Sequence, residues 1–159
     1  MDVIGPINPK AFNGHLFILV AIDYFTKWVE AITLASVTAK VVARFLKRDV
    51  IARYGVSATI HRNSTPYRPQ MNGAVEAANK NIKKIIEKMT VNYKDWHEMF
   101  PYALLAYRTS IRTSTGATPY SLVYGMEAIL PIEVEIPSMR ILAETELEEA
   151  DGQNSVTSS

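Results

Sequence analysis

Cysteine is absent from the 159 residues, which excludes disulfides, zinc–thiolate centres and cysteine nucleophiles and fits a reducing compartment. Long apolar runs are absent too. The longest, LFILVAI at residues 16–22, is too short to cross a bilayer and reads as a buried strand. The N-terminal MDVIGPINPK has no basic segment leading into an apolar run, so no signal peptide is expected. Basic residues nearly vanish after residue 112: Arg140 stands alone against 8 acids over residues 113–159, whereas residues 1–112 hold 16 Lys/Arg against 8 Asp/Glu. Acids in turn are missing everywhere between Asp49 and Glu76. At 48% hydrophobic, the chain has the apolar content of one compact domain. Its basic body and acidic end suit a polyanionic partner, or a solvated surface with a disordered acidic tail.

The chain opens on a short strand, MDVIGPI. HLFILVAIDYFTKWVEAITL (15–34) then reads as a hairpin that turns near DYFTK. Asp23 in that turn is expected to bond nearby backbone amides. Tyr24, Phe25 and Trp28 are expected to pack rather than to stack on bases. Residues 38–55 read as a helix with Thr38 as N-cap, Gly55 as the stop, and Val41, Val42, Phe45, Leu46, Val50 and Ile51 as its apolar face. SATIH is a candidate strand and RNSTPYRPQMNG a loop. A helix follows from about Gly73 to Met89, with Val75, Ala78, Ile82, Ile85, Ile86 and Met89 facing the core. Another spans KDWHEMFPYALLAYRTS, where Pro101 predicts a kink or the true start. Thr118, Pro119 and Gly125 bracket a short last helix. His15, His61 and His97 lack zinc-ligand spacing. The order of elements predicts a three-layer α/β fold with a mixed sheet. Residues 1–142 would form the domain and residues 143–159 a disordered acidic tail.

Glu76 opens a helix face on which the next residues are the lysines Lys80 and Lys83. At about 100° per residue, Glu76, Lys80 and Lys83 project from about a third of the circumference, away from Ile82 and Ile86. Lys84 and Lys88 widen the basic region, and Lys94, Arg108 and Arg112 extend it. An exposed Glu–Lys pair at i,i+4 is the plain explanation and is worth only about 0.2–0.5 kcal/mol.

The stretch YRPQMNGAVEAANKNIKKII resembles the third catalytic motif of retroviral and long-terminal-repeat retrotransposon integrases, in which Pro-Gln, Gly and Glu precede Asn and spaced lysines. MDVIGPI resembles the first catalytic strand and FILVAIDYFTKWVEA the hairpin after it. DWHEMFPYALLAYRTSIRTSTGATPYSLVYGMEAILP resembles the helical end of a gypsy-class, plant-like integrase core. The resemblance spans roughly residues 1–142 and implies a ribonuclease-H-like fold acting as a polynucleotidyl transferase on DNA ends. Three carboxylates would hold two Mg²⁺ (or Mn²⁺) ions. By motif, Asp2 is the first ligand and catalytic residue and Glu76 the last. Lys80 and Lys83 fall where the family contacts DNA, and Gln70, Asn72 and Gly73 in a mobile loop before the helix.

The family's middle Asp belongs to a Thr-Asp-Asn-Gly motif about 35 residues before the Glu in the resembling pattern. That motif is missing here. Asp49 lies inside a helix, and Asn63 and His61 bring no charge to replace it. The chain reads as skipping the second motif, with one strand and one helix, at a junction near Ile60–His61, and its first strand starts without upstream residues to pair. The resemblance thus implies an incomplete triad and an impaired enzyme, with DNA as partner, a nuclear or cytoplasmic location and no membrane association. Two other readings stand beside it: an active Mg²⁺-dependent transferase with a substitute ligand, and a non-functional remnant whose apolar faces form homo-oligomers.

Overall fold

A computed structural model describes residues 1–56, 69–92, 95–132 and 137, with the backbone alone at 69–75, 78 and 89–92. The chain divides into two compact units, Met1–Lys80 and Asn81–Ser159. The candidate strand at 57–61, the junction at Ile60–His61, Asn63, Lys94 and the acidic tail lie outside the described residues.

The first unit is built on three strands, β1 (Asp2–Ile4), β2 (Phe17–Ile22) and β3 (Val29–Leu34), in the order β1-β2-β3. Both pairings are antiparallel, with Asp2 opposite Val20 and Phe17 opposite Leu34. Among the described residues the sheet is therefore wholly antiparallel. The mixed sheet expected from the sequence needs a parallel member, and SATIH, the one further candidate strand, lies outside the described residues. In β2, Ile18, Leu19 and Val20 are all fully buried. A continuous apolar run rather than an alternating one is what burial on both faces demands. Each such side chain contributes about 1.5–3 kcal/mol relative to exposure.

The β2–β3 turn is fastened by Asp23. Its Oδ2 accepts from the Thr26 backbone N–H at 2.9 Å and the Thr26 hydroxyl at 2.6 Å, while its own N–H donates to Trp28 O at 2.9 Å. Trp28 is buried, as expected of a packing residue. Phe25 is not: it is 79% exposed at the turn tip, edge-on to Tyr24 with centroids 5.3 Å apart. Alternation through a hairpin ends where the strands end, so a turn aromatic has no core face to point to.

Gly5 follows β1 with φ +132°, and a Cβ there would lie 2.7 Å from Leu16 O and 2.9 Å from the Phe17 ring. Gly5→Ala is expected to destabilise by at least about 1–3 kcal/mol from backbone strain alone. Urea denaturation checks this, and an unchanged midpoint would show that the loop relaxes freely.

Three helical segments follow β3: α1 (Ala39–Phe45), a π-helical turn (Leu46–Ile51) and α2 (Ala52–Tyr54). Thr38 caps α1, its hydroxyl accepting from Val41 N–H at 3.3 Å, and Gly55 ends the run at φ +82°. Phe45 is the buried anchor of this stretch. The π-helical turn departs from the regular helix predicted here. It is associated with burial of Asp49, which is 6% exposed.

Helix α3 (Pro69–Asn92) begins four residues before the expected start at Gly73. Pro69 explains the difference, because a first-turn proline has its φ preset and needs no backbone donor. Gln70, Asn72 and Gly73 therefore lie on helical backbone, not in a loop. In the second unit Ile82, Ile85 and Ile86 of α3 are buried. The side chains of Val75, Ala78 and Met89 lie outside the described set. Helix α4 (Trp96–Arg108) runs through Pro101 and does not begin there. The proline forfeits one bond, to the His97 carbonyl, while Trp96, Phe100, Ala103, Leu104, Ala106 and Tyr107 are buried around it. Helix α5 (Pro119–Tyr124) has the predicted ends: the Thr118 hydroxyl accepts from Ser121 N–H at 3.0 Å, and Gly125 is left-handed at φ +74°.

Candidate metal and nucleic-acid site

Strand β1 places Asp2 at its first position, and α3 brings Asn79 to it. The Asn79 amide nitrogen donates to Asp2 Oδ2 at 2.8 Å, and Asp2 Oδ1 accepts from Val3 N–H at 2.8 Å. Asn79 is 4% exposed, and its Oδ1 has no hydrogen-bond partner among the described residues. Glu76 lies three residues earlier on α3, so it shares a helix face with Asn79. The Asn79 bond therefore brings Asp2 to the turn of helix that carries Glu76. Glu76 itself is exposed, and among the described residues no ion pair involves it. The plain i,i+4 pairing with Lys80 is thus not formed.

This donor set does not fit a pair of Mg²⁺ ions. Two carboxylates face a requirement for several anionic oxygens shared between two hard cations. Both Asp2 oxygens already accept from N–H donors, one of them the neutral Asn79 amide. Among the described residues no cluster of three or more His, Cys, Asp or Glu side chains could hold a metal. Asp23 belongs to its turn, and Asp49 is held elsewhere.

Lys80 and Lys83 are exposed on α3, as the lysine spacing predicts. Lys84 and Lys88 are half-buried and each has an interaction partner, so they are less available to a ligand than the pattern suggests. The side chains of Gln70 and Asn72 lie outside the described residues.

Sequence reasoning missed two features. One is Asn79, a buried polar residue beside the candidate acids; its spacing of i+3 from Glu76 was the available signal. The other is a buried acidic network beside the hairpin. Glu30, 7% exposed, accepts through Oε1 from Trp28 Nε1 at 2.9 Å, the Tyr54 hydroxyl at 2.6 Å and Arg53 Nη1 at 3.4 Å. Arg53 also reaches Asp49 at 4.0 Å, and Arg48 meets Asp49 at 2.8 Å. Hydrogen bonding to Asp49, then its charge, raises the Arg48 guanidinium above its ordinary value. These contacts fasten α2 to β3 and give both acids a structural occupation.

No protein-family model matches the chain. It is similar to retroviral polyproteins. The Gag-Pol polyprotein of baboon endogenous virus (strain M7) is 30% identical over 139 residues, covering 72% of this chain and 8% of the polyprotein. The Gag-Pol polyprotein of feline leukemia virus is 31% identical over 144 residues, 75% and 8% respectively. The Pol polyprotein of Radiation murine leukemia virus (strain Kaplan) is 30% identical over 137 residues, 70% and 23%. The chain spans less than a quarter of the length of these curated relatives. The matched spans also exceed what this chain supplies to them: 72% of 159 residues is about 114, against 139 aligned positions, leaving about 25 positions without a counterpart here.

Proposed function

We propose that this relative of retroviral Pol polyproteins is an integrase-core-like segment of a long-terminal-repeat retroelement, of gypsy-class type, that binds DNA without processing it. The ribonuclease-H-like architecture is part of the same proposal, supported by an antiparallel β1-β2-β3 start followed by helices in the order the motifs require. The observation that carries the loss of catalysis is the Asp2–Asn79 bond: the carboxylate that would lead a metal cluster is bonded to a neutral amide, and among the described residues no cluster with a third acid forms. The excess of about 25 aligned positions in the relatives agrees with an internal skip. The sequence gap in acids, from Asp49 to Glu76, is where such a skip would remove the middle ligand.

Exposed Lys80 and Lys83 would then act on phosphates. With Z such contacts, affinity for duplex DNA falls with log salt at a slope near −0.9Z. The test pairs two assays on the full chain. Strand transfer with Mg²⁺ or Mn²⁺ is expected to be absent, while DNA binding is expected to be present and salt-sensitive. Metal-dependent strand transfer that Glu76→Gln abolishes would overturn the silent reading. Binding that is absent even at low salt would overturn the DNA reading and favour a non-functional remnant.

A further inference from the structure

The outward face of the α1–α2 stretch carries several cations and no exposed acid. Lys40, Arg44, Lys47 and Arg48 are all exposed. They recur at i, i+4, i+7 and i+8, which sets them on one face. The π-helical turn at Leu46–Ile51 closes by i→i+5 bonds and winds more slowly than an α-turn. That draws Arg48 nearer in angle to Arg44, while Lys47 shifts slightly to the other side of Lys40.

The only acid in the stretch, Asp49, is buried and engaged by Arg48 and Arg53. Among the described residues, no ion pair involves Lys40, Arg44 or Lys47. An ordinary solvated helix face mixes both signs, because neighbouring cations at i,i+3 and i,i+4 repel. A face of one sign is the exception that attracts a charged partner. The α3 face differs, since Glu76 and Glu87 are interspersed among its lysines.

From Lys40 to Arg48 the helix rises about 12 Å. Over that length one strand of duplex DNA presents about three to four phosphates. We infer that this ridge is a second contact surface for a nucleic-acid phosphate backbone, separate in sequence from the lysines of α3. The inference rests on the DNA binding proposed above. Contacts of this kind position a duplex without reading its bases.

The test measures binding of the full chain to short duplexes of differing sequence across a salt series. Two variants are compared with wild type: Lys40→Gln/Arg44→Gln/Lys47→Gln and Lys80→Gln/Lys83→Gln. Glutamine keeps helix propensity at exposed sites, and circular dichroism verifies that both variants fold. The triple variant is expected to lose affinity equally on every duplex, its slope against log salt falling by about 2–3. A triple variant with the wild-type slope, beside a double variant that loses binding, overturns the ridge and leaves the DNA reading standing. Wild-type protein that binds no duplex overturns both. A larger effect of the triple substitution on poly-glutamate than on DNA overturns the phosphate assignment in favour of an acidic polypeptide.

Discussion

Asn79→Asp should be less stable than wild type in chelator and should recover in Mg²⁺. The substitution removes the amide donor to Asp2 and sets a third carboxylate on the α3 turn that holds Glu76. Losing a charge-assisted hydrogen bond costs about 1.5–3 kcal/mol. Repulsion between two close carboxylates adds to that unless they share a proton. In a chain of this length the loss lowers Tm by about 5–10 °C. The same three acids would form a cluster that a hard divalent cation suits, and a ligand at a hundred times its Kd returns about 2.7 kcal/mol. Wild-type protein should show no such gain, and thermal denaturation with and without Mg²⁺ reads both effects. Equal stabilisation of wild type and variant would mean that the native groups already complete a site.

Trp96→Ala is expected to cost about 3–5 kcal/mol. Trp96 is the first residue of α4 and is fully buried, with Phe100 and Tyr107 buried further along the same helix. Total stabilities of about 5–15 kcal/mol leave little after such a loss. Tryptophan is also large enough that no neighbour refills its volume, so the cavity term persists. Urea unfolding followed by circular dichroism checks the magnitude. A change under 1 kcal/mol would show that the α4 core repacks around the void, and Trp96→Phe should restore most of the loss.

Local grammar was the readable part of this chain. Thr38, Gly55, Thr118, Pro119 and Gly125 all act as caps or stops where the sequence placed them, because capping depends on only a few neighbouring residues. Asp23 also fastens its turn as expected. Asn72 and Gly73 suggest a loop, while Pro69 satisfies the first turn, so α3 begins earlier than its composition suggests. The π-helical turn was invisible: its hydrophobic spacing passes for an ordinary helix, and only tertiary burial of Asp49 distinguishes it. Phe25 reads as a packing aromatic by type but sits beyond the last paired residue. The occupations of Asn79 and Glu30 depend on partners far away in sequence, so no window along the chain contains them. Asp2 and Glu76 were legible as candidates from motif resemblance alone, and the amide lying beside Asp2 was not.

The Asp2–Asn79 bond joins residues 77 positions apart. The β2–β3 pairing, by contrast, closes across a six-residue turn between Ile22 and Val29. Hairpins of that kind form in about 1–10 μs. A contact of long sequence separation must meet its loop-closure entropy before it contributes anything. The kinetic order expected of the first unit is hairpin first and the Asp2–Asn79 closure last. By the same reasoning, this closure should open at lower free energy than the hairpin in native-state hydrogen exchange. The candidate site would then be the latest-assembled and earliest-released part of the unit that holds it.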